Sequence, residues 1–200
     1  MARTHSFMMP LGTPAPAFAL PDLEGRTVRL ADIPPSPGLL VVFLANHCPY
    51  VKHLRGHFAA QARAWGAQGL TVIGIASNDA VAYPDDGPVG MRAEIAETGY
   101  DFPYLIDADQ RVAKAFHAAC TPDFFLFDRA RHLAYRGRYC ASRPKQVPPQ
   151  AVTGIDLATA VEAVLAGRPV TAAQLPSLGC NIKWAPGNEP DYATRLMVTT

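Results

Sequence analysis

The chain lacks any long apolar run. Nowhere do about 18 apolar residues follow one another, so no membrane-spanning helix is expected. It also lacks an excess of charge. Its 18 Lys+Arg against 17 Asp+Glu leave a formal charge of +1, which gives neither nucleic acid nor an anionic membrane a reason to bind. Residues 1–10 contain no apolar stretch of signal-peptide length, so a cytoplasmic protein with reduced thiols is expected. Cysteine is scarce: Cys48, Cys120, Cys140 and Cys180 are the four in 200 residues. A disulfide framework is therefore excluded, and each thiol becomes a candidate for chemistry. Asp79, Asp85, Asp86, Asp107 and Asp109 lack the spacing of a metal loop and read as turn residues. No cofactor is implied. Proline, by contrast, is abundant at 19 residues. It clusters between Pro10 and Pro37, Pro144 and Pro149, and Pro169 and Pro190, which marks turns and an irregular tail.

The apolar fraction of 49% suits one globular domain. We expect a flexible segment over 1–10, a domain over 11–166 and a tail over 167–200 that packs on it. Phe18-Ala19-Leu20 and Thr27 to Leu30 flank a turn at Asp22 to Gly25, which predicts an N-terminal hairpin. Leu39 to Leu44 reads as a strand covered on both faces. A helix to about Gln68 follows, with Val51, Leu54, Phe58, Ala62 and Trp65 inward. Thr71 to Ala76 is a second buried strand, so the pair is parallel with a right-handed crossover. Further on come helices over 91–98 and 112–116 and an extended run over 102–106. A hairpin joins Phe124–Phe127 to Leu133–Arg136. A last helix is capped by Thr153, with Ala158, Val161 and Leu165 inward. The fold class is α/β: a central mixed sheet flanked by helices.

Cys48 stands where the first strand gives way to a helix, in Asn46-His47-Cys48-Pro49-Tyr50-Val51. Pro49 suits the first helical position, because the N–H it lacks would be unpaired there anyway. Cys48 therefore sits among free helix N–H groups at the positive end of the dipole, which favours the thiolate. Its sulfur is expected within reach of a visiting molecule. His47, Lys52 and Arg55 add cations that favour the same state.

These segments resemble the thioredoxin superfamily. Phe43 to Cys48 is similar to its strand-to-cysteine approach, and Ala119-Cys120-Thr121-Pro122-Asp123-Phe124 to its cis-proline before a central strand. The N-terminal extension, together with Asn46 to His53 and Gly179 to Trp184, resembles a peroxiredoxin-like, AhpC/TSA-related group of redoxins. The resemblance implies a thioredoxin-like fold and a docking edge at Thr121-Pro122 for an extended partner. Two departures stand out. The place of a second cysteine, three after Cys48, holds Val51. The peroxiredoxin positions three and seven before Cys48 hold Ala45 and Val41.

A lone thiolate at Cys48 can attack a disulfide or a peroxide, and a second thiol must then resolve the product. Cys180, in a Gly/Pro-bounded tail pinned by Ile182 and Trp184, is the preferred internal candidate. Cys120 is expected to serve the core, and Cys140 to be incidental. Arg138, and less so Arg136, are candidates for reaching the sulfur, as a late-strand arginine does in the peroxiredoxins that the chain resembles. The expected activity is a thiol-disulfide oxidoreductase, with peroxide reduction the weaker case. Its substrates would be a protein disulfide, or a small thiol or peroxide. Its reductant would be thioredoxin or a low-molecular-weight thiol. The alternative is a non-catalytic protein, holding copper or zinc through Cys48 and His53 or a peptide along Thr121. Helical counting turns His53 and His57 toward solvent, against the metal reading.

Overall fold

The structure is a computed structural model that describes residues 3–195 and 197–198. Its strands are β1 Arg3–His5, β2 Ala19–Pro21, β3 Thr27–Arg29, β4 Leu39–Leu44, β5 Thr71–Ala76, β6 Tyr104–Ile106, β7 Cys120–Thr121, β8 Asp123–Phe127, β9 Leu133–Gly137, β10 Leu178–Asn181 and β11 Met197–Val198. Its helices are α1 Pro49–Ala67, α2 Pro88–Thr98, α3 Arg111–Ala115, α4 Ile155–Leu165 and α5 Asp191–Arg195.

The central sheet has the order β6-β5-β4-β8-β9. β4 runs parallel to β5 and antiparallel to β8. Every residue of β4 is buried, as its unbroken apolar run requires of a strand with both faces covered. Leu40, Val42 and Leu44 pack on one face with Leu54, Phe58 and Trp65 of α1 and Leu157 and Val161 of α4. Leu39, Val41 and Phe43 pack on the other with Phe116, Phe18 and Leu20. The β2–β3 hairpin forms where the turn signal places it. No helix among the described residues is long and apolar enough to cross a membrane.

Two terminal segments differ from expectation. Residues 3–5 are not loose: Arg3–His5 pairs antiparallel with β10. The tail is not wholly irregular either, because β10 lies between β1 and β7 in a second sheet, ordered β11-β1-β10-β7. Both segments are too short for periodicity to reveal; backbone pairing across the whole chain creates them. The cap of α4 also moves. Gly154, at φ +63, occupies it. A side chain there would collide with the Tyr139 ring 2.6 Å away, so glycine alone fits.

Candidate active site

Cys48 is the N-cap residue of α1, with extended backbone and Pro49 opening the helix. Its carbonyl accepts the Lys52 N–H at 2.9 Å, which starts the helical ladder. The Thr121-Pro122 peptide is cis. Cys48 Sγ donates to the Thr121 carbonyl at 3.2 Å. Across the second sheet, Cys180 pairs with Thr121 and Asn181 with Cys120. Strand and loop thus deliver Cys48, Thr121 and Cys180 to one point.

One expectation fails there. Cys48 is 0% exposed and Cys180 only 3%. The sulfur is not open to a visitor, because β10 lies on the Thr121 edge where a partner was expected to dock. Gly179 makes that seating possible: a Cβ on it would stand 2.1 Å from the Thr121 carbonyl oxygen, so only glycine allows the two backbones so close.

Burial pushes the Cys48 thiol up, but hydrogen bonding reverses the outcome and brings it down to about 6. The donors are the Cys180 thiol, Thr121 and the amides of Val51 and Cys180. Thr121 Oγ1 is buried without a hydrogen-bond partner. Likewise, the Cys48 side chain accepts no capping bond from the first turn of α1. A thiolate gives these idle donors an acceptor, which is why the charged form wins despite burial. Cys180 moves the opposite way: its bond to Cys48 comes first and burial second, and both raise it. Cys48 carries the charge and Cys180 keeps the proton.

The supporting residues sort differently from expectation. His47 does not turn to Cys48. Its Nδ1 lies 2.5 Å from Asp86 Oδ2, its N–H donates to Asp86 Oδ1 at 3.0 Å, and its ring stacks on Tyr83. Arg138 does not reach the sulfur: its Nε is paired with Asp156 at 2.5 Å. Arg136 binds the Met9 carbonyl and Gln174. Arg55 is held by Glu97, and Lys52 is exposed. His53 and His57 are not on a solvated face, because the loop after β9 covers them. His53 Nε2 meets Ser142 Oγ at 2.8 Å and His57 Nδ1 meets the Tyr139 hydroxyl at 2.6 Å. Among the described residues no group of three or more His, Cys, Asp or Glu could hold a metal ion, and His53 spends its Nε2 on Ser142. Cys120 is fully buried, with its thiol raised by burial.

Three residues escaped the sequence reading. Tyr50 is half-buried and packs against the cluster holding both thiols. Arg3 stands directly opposite Cys180 in the β1–β10 pairing. Asp123, fully buried, accepts the Ala119 N–H at 3.1 Å and braces the proline loop, its carboxyl pushed up to about 8 by burial. Only Asp123 left a signal, as an acid inside an apolar run.

A hypothetical protein of Sinorhizobium meliloti 1021 is similar in structure, with a TM-score of 0.88 and 49% identity over 92% of this chain and 100% of that one. A thiol:disulfide interchange protein of the thioredoxin family from Chlorobium tepidum TLS shares the fold at a TM-score of 0.58, with 19% identity over 78% of this chain and 98% of its own. The thiol-disulfide oxidoreductase ResA of Bacillus subtilis (strain 168) is 23% identical over 117 residues, and the match spans 61% of its length and 58% of this chain. The AhpC/TSA family model matches residues 11–136, from before the N-terminal hairpin through Cys48 and the cis-proline into β9. With its thioredoxin fold and this match, the chain belongs to the AhpC/TSA family of redoxins.

Proposed function

We propose that this protein is a thiol-disulfide oxidoreductase in which Cys48 attacks and Cys180 resolves. The observation that carries the reading is the placing of Cys180 opposite Thr121, with its reduced thiol hydrogen-bonded to that of Cys48. Cys180 stands where a substrate cysteine would stand, so the chain supplies internally the second thiol that Val51 cannot.

The order of events follows from the electrostatics. The Cys48 thiolate attacks one sulfur of a disulfide; a mixed disulfide forms and the leaving thiolate takes a proton. Cys48 is then no longer an anion or a strong acceptor. The bond that held the Cys180 proton, the first cause of its raised pKa, is lost. Cys180 deprotonates, attacks the Cys48 sulfur and expels the second thiol. Two electrons pass from the cysteine pair to the substrate, and an external thiol reductant restores them. A reducing compartment such as the cytoplasm suits this cycle. Peroxide reduction is the weaker reading, since Ala45 and Val41 fill the places of its expected hydroxyl and proline. Peptide capture without chemistry is disfavoured by the occupied Thr121 edge.

Mass spectrometry of the protein after mild diamide treatment tests the reading. The expected product is a Cys48–Cys180 disulfide. A stable adduct on Cys48 with Cys180 still reduced would refute it.

A further inference from the structure

Two routes lead toward the thiol pair, and they differ in what must move. Along the Thr121 edge, a partner strand must evict β10. That strand is hydrogen-bonded on both flanks, to β7 and to β1. The residues after it are tied down as well. Ile182 is 1% exposed, and its N–H donates to the Ala119 carbonyl at 3.1 Å. The Lys183 N–H donates to Asn78 Oδ1 at 2.8 Å, and Gln110 Nε2 donates to the Lys183 carbonyl at 2.8 Å. Eviction breaks all of these together.

The second route passes Tyr50. The half-buried Tyr50 side chain packs against the cluster that holds both thiols, and turning it aside costs far less than removing a strand. Beside it lies a cleft lined by Tyr50, His53, Pro122, Arg138, Ser142 and Arg143, with no aspartate or glutamate in its lining. The Arg143 guanidinium has no carboxylate partner among the described residues, and neither does that of Arg3. Arg3 is exposed and stands across from Cys180. Burial raises the Tyr50 hydroxyl, and the charges of Arg3 and Arg143 offset part of that rise. Arg143 in the cleft lining and Arg3 across from Cys180 thus place two cations, without a carboxylate partner among the described residues, near the entrance that is easier to open.

We propose that the disulfide reduced at Cys48 is a small, carboxylate-bearing molecule that enters past Tyr50 under the pull of Arg3 and Arg143, not an extended polypeptide docked on Thr121. The inference rests on Cys48 and Cys180 forming the redox couple. The chemistry balances: one small disulfide and two protein thiols give two small thiols and one Cys48–Cys180 disulfide.

The test mixes the reduced full-length protein with small disulfides of similar size. Dithiodipropionate carries two carboxylates, 2-hydroxyethyl disulfide is neutral and cystamine carries two ammonium groups. A disulfide-bonded peptide is the fourth substrate. Formation of the Cys48–Cys180 disulfide is followed by acid quench and mass spectrometry. Each rate is divided by that of the same disulfide with free 2-mercaptoethanol, which removes leaving-group differences. The expected order is anionic, neutral, cationic, with about a tenfold spread at low ionic strength that shrinks in high salt. The double variant Arg3→Glu/Arg143→Glu should invert the order. Equal rates, a faster cationic disulfide, or a peptide that outruns the small ones would each overturn the inference while leaving the couple intact. No Cys48–Cys180 disulfide in any arm would overturn the couple itself.

Discussion

Cys180 should set the acidity of Cys48, and two substitutions separate that role from its role as resolving thiol. Cys180→Ala deletes the donor, whereas Cys180→Ser keeps an O–H donor but cannot form a disulfide. A hydrogen bond to a charged group contributes about 1.5–3 kcal/mol, and one pKa unit corresponds to about 1.4 kcal/mol. Loss of the thiol donor should therefore raise the Cys48 midpoint by about 1–2 units, from about 6 toward about 7–8. The serine variant should stay near its starting value. Alkylation by iodoacetamide across pH, read by intact mass, gives the midpoint. A rate at one pH would mislead, because nucleophilicity rises with pKa at a Brønsted slope of about 0.4–0.5 and offsets much of the lost thiolate. Ultraviolet thiolate absorbance, corrected with Cys48→Ala, gives the same midpoint without requiring the reagent to reach a buried sulfur. An alanine variant that still titrates near the wild-type midpoint would refute the reasoning, as would a serine variant shifted as far as the alanine one.

Three further outcomes follow from the packing. Gly179→Ala forces a Cβ to within 2.1 Å of the Thr121 carbonyl oxygen. It should lower stability in urea by about 2–3 kcal/mol and raise the Cys48 midpoint, because β10 must lift from β7; an unchanged midpoint would contradict the seating of that strand. Glu94 is 1% exposed, and burial raises its carboxyl from 4.5 to about 7. A raised acid imposes no penalty below its unfolded pKa and costs stability increasingly as pH climbs to the folded one. Glu94→Gln should match wild type at pH ~4 and gain up to about 3 kcal/mol at pH ~8; urea midpoints at the two pH values check this. Cys120→Ala, on a fully buried thiol that donates to the Pro122 carbonyl at 3.7 Å, should cost about 1 kcal/mol and leave Cys48–Cys180 formation intact by mass spectrometry. Loss of that disulfide would give Cys120 a redox role.

Much of the fold is legible in the residues because its signals are local. The run Leu39–Leu44, the stripe from Val51 to Trp65 and the Cys48-Pro49 junction each carry their own pattern, and the structure has them within a residue or two. What stays hidden depends on distant backbone. Nothing in Arg3-Thr4-His5 announces a strand until it meets Leu178–Asn181. Helical counting sent His53 and His57 to solvent because it knows only the core beneath α1, whereas the loop carrying Tyr139 and Ser142 folds over the same helix. Sequence distance makes His47 a neighbour of Cys48, yet Asp86, 39 residues away, draws it off with a full charge and two oxygens. Arg138 likewise found a carboxylate at Asp156 before it could find a thiolate.

The braid of β1, β10 and β7 has a practical corollary for anyone who handles this protein. The strand β1, early in the sequence, contributes to the wall around the sulfur pair, since Arg3 adjoins Cys180. An affinity tag joined just ahead of Arg3 would lie a few residues from the reactive centre and bring its own histidines and charges with it. Kinetics recorded before such a tag is cleaved would describe the fusion, so cleaved and uncleaved preparations belong side by side in every comparison.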